Sequence, residues 1–315
     1  MTVFTGWHGK RYYSLDAYCK NELHHKCYKI ALNAHMTCPN RDGSKGTRGC
    51  IFCSAGGSGD FAVSTCNKSV REQLEEGKAL FHGKHIGSHF IAYFQAYSNT
   101  YAPLPYLEKV FTEALCCPEV CGISIATRPD CLPEDVLTLL AHLKQQFPDK
   151  FIWVELGLQT IWEDTAGFIR RGYPLSCFEE AFSHLQEIGI PVIVHTILGL
   201  PGENTEHVLA TIRYLNGIKP FGIKLQLLHV LENTDLADLY RGGTFEVLSK
   251  EGYLELLIKC LSTLSPDIVV HRVTGDGPKD LLIAPTWSCN KRDVLNSLHR
   301  LMKEQDIWQG KEYAI

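Results

Sequence analysis

No stretch of this 315-residue sequence stays apolar over the roughly twenty residues that a membrane helix needs. The opening residues, MTVFTGWHGKRYYSL, are polar and aromatic and lack the apolar centre of a secretory signal. There is no low-complexity linker and no repeat beyond an alternation of short strands and helices, so one domain with short extensions is expected. Charge of one sign is not in large excess. The net charge of −4 excludes a protein that is basic overall and binds polyanions for that reason alone. Without an export signal, the thirteen cysteines are expected to be thiols or metal ligands in a reducing, cytoplasmic setting rather than disulfides. A Cys-x-x-Cys spacing occurs once.

Apolar residues make up 45% and charged residues 21%, the balance of an ordinary globular chain with a full core. From residue 28 a rhythm sets in. Strands are expected at 28–34, 89–94, 121–126, 151–157, 191–198 and 222–228. Helices are expected at 69–81, 104–115, 133–146, 177–188 (with Ser176 as its cap) and 205–215. The strands are continuous apolar runs, which marks parallel strands covered by helices. Six such steps predict an α/β fold with an open, partial (β/α)6 barrel, the closed eight-stranded barrel being the rival. The expected organisation is an N-terminal extension at 1–27, a barrel core at 28–229 and a C-terminal extension at 230–315 that covers the barrel. Within that extension helices are expected at 234–241, 245–264 and 290–303, with a strand at 267–271.

The segment MTCPNRDGSKGTRGCIFCS follows the first strand, at the end where such folds build their active sites. Its Cys38, Cys50 and Cys53 are spaced C-x11-C-x2-C. Three thiolates can hold three irons of a [4Fe–4S] cubane and leave the fourth iron open. A structural zinc ion would normally take four protein ligands, and Asp42, His35 or Cys66 could complete such a set. Spacing alone leaves both readings standing, together with free thiols. The intervening loop is polar and glycine-rich, unlike a packed apolar element. Phe52 is expected to shield whatever the cysteines hold.

The long spacing before Cys50, followed by IFCS, resembles the radical S-adenosylmethionine proteins of the bacterial YtqA/YhcC type, within a wider Elp3-like group. Other matching stretches are FQAYSNTYAP (94–103), GISIATRPD (122–130), VELGLQT (154–160), RRGY (170–173), HTILGLPGE (195–203), HRVTGDGP (271–278) and WQG (308–310). The resemblance runs from about Tyr12 to Gly310. It implies a radical S-adenosylmethionine enzyme whose cluster, on Cys38, Cys50 and Cys53, passes an electron to the sulfonium and yields a 5′-deoxyadenosyl radical. A one-electron donor such as flavodoxin or ferredoxin is then an implied partner. Elp3-like relatives act on the wobble uridine of tRNA. Members resembling this chain are linked to conversion of 5-carboxymethylaminomethyl toward 5-aminomethyl-2-thiouridine. The chain has no counterpart of the Elp3-type acetyltransferase domain, so acetyl transfer is not expected.

Candidate cofactor contacts follow from the same matches. Gln95, Tyr97 and Asn99 occupy the place of the Gly-Gly-Glu turn of other radical enzymes, without its glutamate. Ser124, Thr127 and Arg128 end the third strand, where a guanidinium offers a bidentate fork to the methionine carboxylate. Glu155 is a charge inside an apolar strand, a placement rare unless paired or functional. With Gln159 it is a candidate for ribose or amino-acid contacts, and Arg171 for a carboxylate in the pocket. Gly199 permits close backbone approach, with its apolar neighbours on an adenine face. His195, His271, Arg272, Asp276 and Lys291 are the expected substrate-side group. Lys10, Arg11, Lys45 and Arg48 lie among more bases than acids in the first fifty residues and are the expected RNA contacts. Two other readings stay open at this point: radical chemistry on a small metabolite, and a zinc-dependent nucleic-acid binding module without catalysis.

Overall fold

The computed structural model describes residues 6–57, 59, 68–81, 87–275 and 277–314. Its elements, in chain order, begin with helix α1 (Leu15–Glu22) and strand β1 (Tyr28–Leu32). Then come α2 (Val70–Ala79), β2 (Phe90–Phe94), α3 (Leu104–Leu115), β3 (Val120–Thr127), α4 (Glu134–Gln146) and β4 (Phe151–Gln159). After these come α5 (Glu163–Phe168), α6 (Leu175–Glu187), β5 (Val192–Leu198), α7 (Thr205–Ile218) and β6 (Gly222–Leu227). The last are β7 (Val230–Leu231), α8 (Asp235–Arg241), α9 (Lys250–Thr263), β8 (Val269–Arg272), β9 (Leu282–Ala284) and α10 (Lys291–Glu304). Seven strands form one sheet in the order β1-β2-β3-β4-β5-β6-β8, the partial barrel expected from the sequence. The pairings β1–β2, β2–β3, β3–β4, β5–β6 and β6–β8 are parallel.

The chain divides into two compact units, each described by itself. The first comprises Leu23–Gly157 and Gly172–Val192. Its inner strands are buried on both faces: every residue of β2 is buried, and so are Ile123 to Thr127 of β3, whereas the edge strand β1 is only partly covered. This is the physical reason for their unbroken apolar sequence. Helix α3 lays Leu107, Val110, Phe111, Ala114 and Leu115 inward, and the Phe111 ring meets Phe94 of β2 edge-on at 5.0 Å. A capping box starts α2: Ser69 Oγ accepts from Glu72 N (3.2 Å), and Ser69 N donates to the Glu72 carboxylate (2.7 Å). The sequence expectation for α6 is corrected. The helix begins at Leu175, before Ser176, with Pro174 at its entry and no side-chain cap. Proline's fixed φ presets that entry, so the hydroxyl is not needed there.

The second unit comprises Met1–Glu22, Leu158–Arg171 and Ile193–Ile315. Here β8 is a seventh parallel strand, paired with β6, so the C-terminal stretch extends the sheet as well as adding helices. The expected helix from residue 245 starts only at Lys250, because Ser249 Oγ accepts from Gly252 N (3.0 Å) and fixes the N-terminus. The WQG stretch has a structural explanation. The buried Gln309 side chain donates to Ser265 O (2.7 Å) and Ile268 O (2.8 Å) and accepts from Tyr13 N (2.8 Å). Among the described residues no helix is long and apolar enough to cross a membrane.

Candidate active site

The cysteine loop leaves the C-terminal end of β1 and is folded by its own backbone. Arg41 N donates to Cys38 O (2.8 Å), Gly49 N to Asn40 O (2.7 Å) and Cys53 N to Cys50 O (3.0 Å). Three groups present positive charge or N–H donors to the sulfurs. Asn40 Nδ2 lies 3.6 Å from Cys50 Sγ, and Arg128 Nη1 lies 4.0 Å from Cys38 Sγ. Arg41 binds the loop's far end through Cys53 O (3.1 Å) and Ser54 O (2.6 Å). The Cys50 thiol is lowered to about 7, chiefly because the Cys53 thiol hydrogen-bonds to it. That outweighs burial, and the Arg128 charge, Asn40 and the Arg41 charge add to it. Cys53, the donor of that bond, is pushed upward by it and by burial.

Arg128 does not stand open as a carboxylate fork. Its Nε and Nη2 donate to the two oxygens of Asp130, both at 2.8 Å, and its guanidinium lies over the Tyr173 ring at 4.9 Å. Asp130 also pairs with Lys45 (2.7 Å), whose ammonium reaches Gly172 O at 3.3 Å. Burial acts to raise the Asp130 carboxyl, but Arg128 and Lys45 together hold it below the usual carboxylate range. The backbone at Gly172 has φ +83°, and a Cβ there would fall 2.6 Å from Asn40 Oδ1 and 3.3 Å from Arg128 Nη2. The glycine of RRGY therefore lets the chain close against the cysteine loop. Asn40, Arg41, Asp130 and Tyr173 were not singled out from sequence.

The turn after β2 also belongs to this unit. Tyr97, at φ +62°, donates its N–H to Gly57 O (2.8 Å) and its hydroxyl to Ala55 O (2.5 Å), and its ring faces the Arg41 guanidinium at 5.9 Å. Gln95 N donates to Leu32 O (3.2 Å). Asn99 donates Nδ2 to Ala126 O (2.9 Å), while its buried Oδ1 accepts no hydrogen bond among the described residues. Thr127 Oγ1 is 2.6 Å from Thr100 Oγ1. Ser124 Oγ donates to the fully buried Glu155 (2.6 Å), which Lys29 also pairs at 2.6 Å. Glu155 is thus neutralised within the sheet.

In the other unit, the buried Arg171 donates to Leu158 O (3.1 Å) and Thr160 O (2.7 Å) and pairs with Glu163 (3.2 Å). Gln159 closes β4 at φ +61°, and Gly199 follows β5 at φ +85° with Leu248 at 3.0 Å from its would-be Cβ. His195 lies in β5, paired in register with Lys224, and Arg272 closes β8. His271 meets the Phe221 ring edge-on at 5.6 Å. Lys291 is the exposed first residue of α10, and Asp276 lies outside the described residues, as does Cys66. Of the basic residues, Arg11 pairs with Asp306 (2.9 Å) and Lys10 reaches Ser14 Oγ (3.2 Å), both in this unit. Lys45 and the exposed Arg48 belong to the first.

The donor set fits an iron–sulfur centre. The Arg128 guanidinium lies near the Cys38 sulfur, the Asn40 amide N–H is directed at that of Cys50, and the Arg41 charge is nearby, surroundings that favour thiolate ligands and tune such clusters. An orphaned buried acceptor, Asn99 Oδ1, at the same end of the strands, suits the ammonium of an amino-acid cofactor.

Comparison with known proteins agrees. The family model described as Radical SAM superfamily matches residues 43–215, and that of the Radical_SAM C-terminal domain matches 220–304. The chain is 41% identical over 302 residues to the uncharacterized protein YtqA of Bacillus subtilis, covering 96% of this chain and 92% of that one. It is 31% identical over 282 residues to the protein YhcC of Escherichia coli, covering 90% and 89%. It is 25% identical over 312 residues to mouse Elongator complex protein 3, covering 84% of this chain but 55% of that protein. The solved archaeal Methanocaldococcus infernus Elp3 shares the fold, with a TM-score of 0.65 at 16% identity over 90% of this chain and 64% of that one. The chain belongs to the Radical SAM superfamily and is an enzyme whose cofactors are a [4Fe–4S] cluster and S-adenosylmethionine.

Proposed function

We propose that this enzyme acts on the wobble uridine of tRNA, as the MnmL type does, converting the 5-carboxymethylaminomethyl group toward 5-aminomethyl-2-thiouridine. The observation that carries the reading is the sequence similarity to Elongator complex protein 3 across 84% of the chain, joined to the family resemblance that links such proteins to tRNA. When bound, the cluster supplies the electron that cleaves S-adenosylmethionine to a 5′-deoxyadenosyl radical, the electron coming from a donor such as flavodoxin or ferredoxin. The protein's own part is to hold and shield. Cys38, Cys50 and Cys53 are the ligands, and Arg128 and Arg41 offset their negative charge. Tyr97 and Asn99 supply polar groups for the methionine end, and Gln159, Arg171 and Gly199 are proposed for the rest of the cofactor. His195, His271, Arg272, Asp276 and Lys291 are proposed on the substrate side. A target uridine must be turned out of its stack to be reached.

Lys10, Arg11, Lys45 and Arg48 are the proposed phosphate contacts. Nucleoside analysis of tRNA from a deletion strain tests the reading. Loss of the 5-aminomethyl product with build-up of its precursor supports it, and unchanged wobble uridines under conditions of expression refute it. In vitro, replacing Lys10 and Arg48 with Ala should flatten the log–log salt dependence of tRNA affinity by about 1 to 2 units of slope.

A further inference from the structure

At the opposite ends of the same strands lies a second group of metal-binding side chains. His25 and Cys27 stand just before β1, His89 just before β2, and Cys121 is the second residue of β3. Strands β1, β2 and β3 are adjacent and parallel, so the four residues share the N-terminal edge of the sheet. The cysteine loop leaves the C-terminal edge of β1, one strand length away, about 16 Å for five residues. The ligand atoms of His25, Cys27 and Cys121 all lie within 4.8 Å of one another, and all three residues are half-buried. His25 Nε2 is 3.4 Å from Cys121 Sγ. A tetrahedral zinc ion, with Zn–S near 2.3 Å and Zn–N near 2.0–2.1 Å, sets its nitrogen and sulfur ligands about 3.6 Å apart and two sulfurs about 3.8 Å apart. The His89 ring stacks on His25, with centroids 3.7 Å apart and planes 23° from parallel, which fixes the imidazole from its other side.

We propose that His25, Cys27 and Cys121 bind a zinc ion, with His89 beside them, as a second metal centre separate from the iron–sulfur site. Two thiolates and an imidazole form a donor set of the softness zinc takes, and they come from two strands with a third between them. A metal held there pins the starts of β1 and β3, so its contribution is to the stability of the sheet edge rather than to the radical chemistry.

Metal analysis of the full chain, purified anaerobically and reconstituted with iron and sulfide, tests this. About one zinc per chain is expected beside the iron. Cys27→Ser and Cys121→Ser should each lose the zinc and keep the iron. Removing Cys38, Cys50 and Cys53 together should do the reverse, and this colourless variant should bind cobalt with thiolate-to-metal absorption. Should a serine variant fail to fold, His25→Ala is read in its place. Alkylation of the wild-type protein, mapped by mass spectrometry, needs no variant: added zinc should protect Cys27 and Cys121. Substoichiometric zinc in the wild type, equal alkylation with and without zinc, or a Cys27–Cys121 disulfide in the anaerobic protein would each overturn the proposal.

Discussion

Replacing Asp130 with Asn removes one negative charge that serves two cations. In the wild type the carboxylate accepts both arms of the Arg128 fork at 2.8 Å and Lys45 at 2.7 Å, and its side chain is 8% exposed. Lys45 is 42% exposed, so its share is screened and small. Arg128 is 10% exposed in its side chain and cannot shed its charge, so it carries most of the cost. Breaking a buried pair by removing one partner costs about 3–5 kcal/mol, and Asn keeps the volume and one acceptor, so about 3 kcal/mol is expected. For a chain of this size that lowers Tm by on the order of 5–10 °C. The sign with pH follows from the depressed Asp130 carboxyl. Its stabilisation is fully present above the unfolded value near 3.9 and is lost as pH falls through the lower folded value. Urea or thermal melts of both proteins between pH 7 and pH 3 measure it. The gap should stay constant down to about pH 5 and close in stronger acid. A D130N protein as stable as wild type at pH 7, or a gap that widens on acidification, would refute the reasoning.

Changing Cys38, Cys50 or Cys53 to Ala should abolish deoxyadenosine formation and bound iron, read by iron and sulfide assay; any one variant that keeps both would remove that cysteine from the ligand set. Glu155→Gln leaves Lys29 facing a neutral group inside the sheet and should cost about 3–5 kcal/mol. A Lys29→Met, Glu155→Leu double variant should regain part of that in urea melts, whereas an additive loss would argue against the pair. Arg128→Ala should weaken S-adenosylmethionine binding by at least tenfold on reconstituted protein, by unsettling Tyr173 and the cysteine loop; unchanged affinity assigns it to stability alone. Gly172→Ala places a methyl against Asn40 Oδ1 at a positive φ, so reduced iron retention is expected, with little change in overall helix content by circular dichroism.

Strands β2 and β3 were legible because burial on both faces leaves a continuous apolar run, and both are buried along almost their whole lengths. The seventh strand was legible as a strand, yet not as part of this sheet. The strand is four residues long and three of them pair with β6, Arg272 among them, and short runs carry no sign of which neighbour they will find. Helix ends moved where backbone chemistry outweighed the nearest hydroxyl: proline set the start of α6, while Ser249 delayed the start of α9. Helices α1 and α5, at eight and six residues, are too short for a periodic signal.

The two metal-binding groups show why one site is readable and the other is not. Cys38, Cys50 and Cys53 lie on one loop, so their spacing is visible within nineteen residues of sequence, MTCPNRDGSKGTRGCIFCS. His25 and Cys121 are 96 positions apart, and only parallel pairing with β2 between them brings them to 3.4 Å. The same geometry hides the partners of the predicted residues. Glu155 was singled out as a charge in an apolar strand, but Lys29 lies 126 positions earlier in the chain, and nothing local links them. Arg128 was singled out as a fork for a carboxylate, and in the structure the carboxylate in that fork is two residues away; Arg128 lies just past the end of β3, where strand alternation no longer says which way side chains point. The short 3-10 turn at Pro129–Cys131 holds Asp130 against the guanidinium. A charge placed by a turn rather than by a strand therefore faces the cysteine loop with its anion already attached. With Lys45 on the same carboxylate, the group held beside Cys38 is two cations sharing one anion, so it keeps a net positive charge toward the sulfurs.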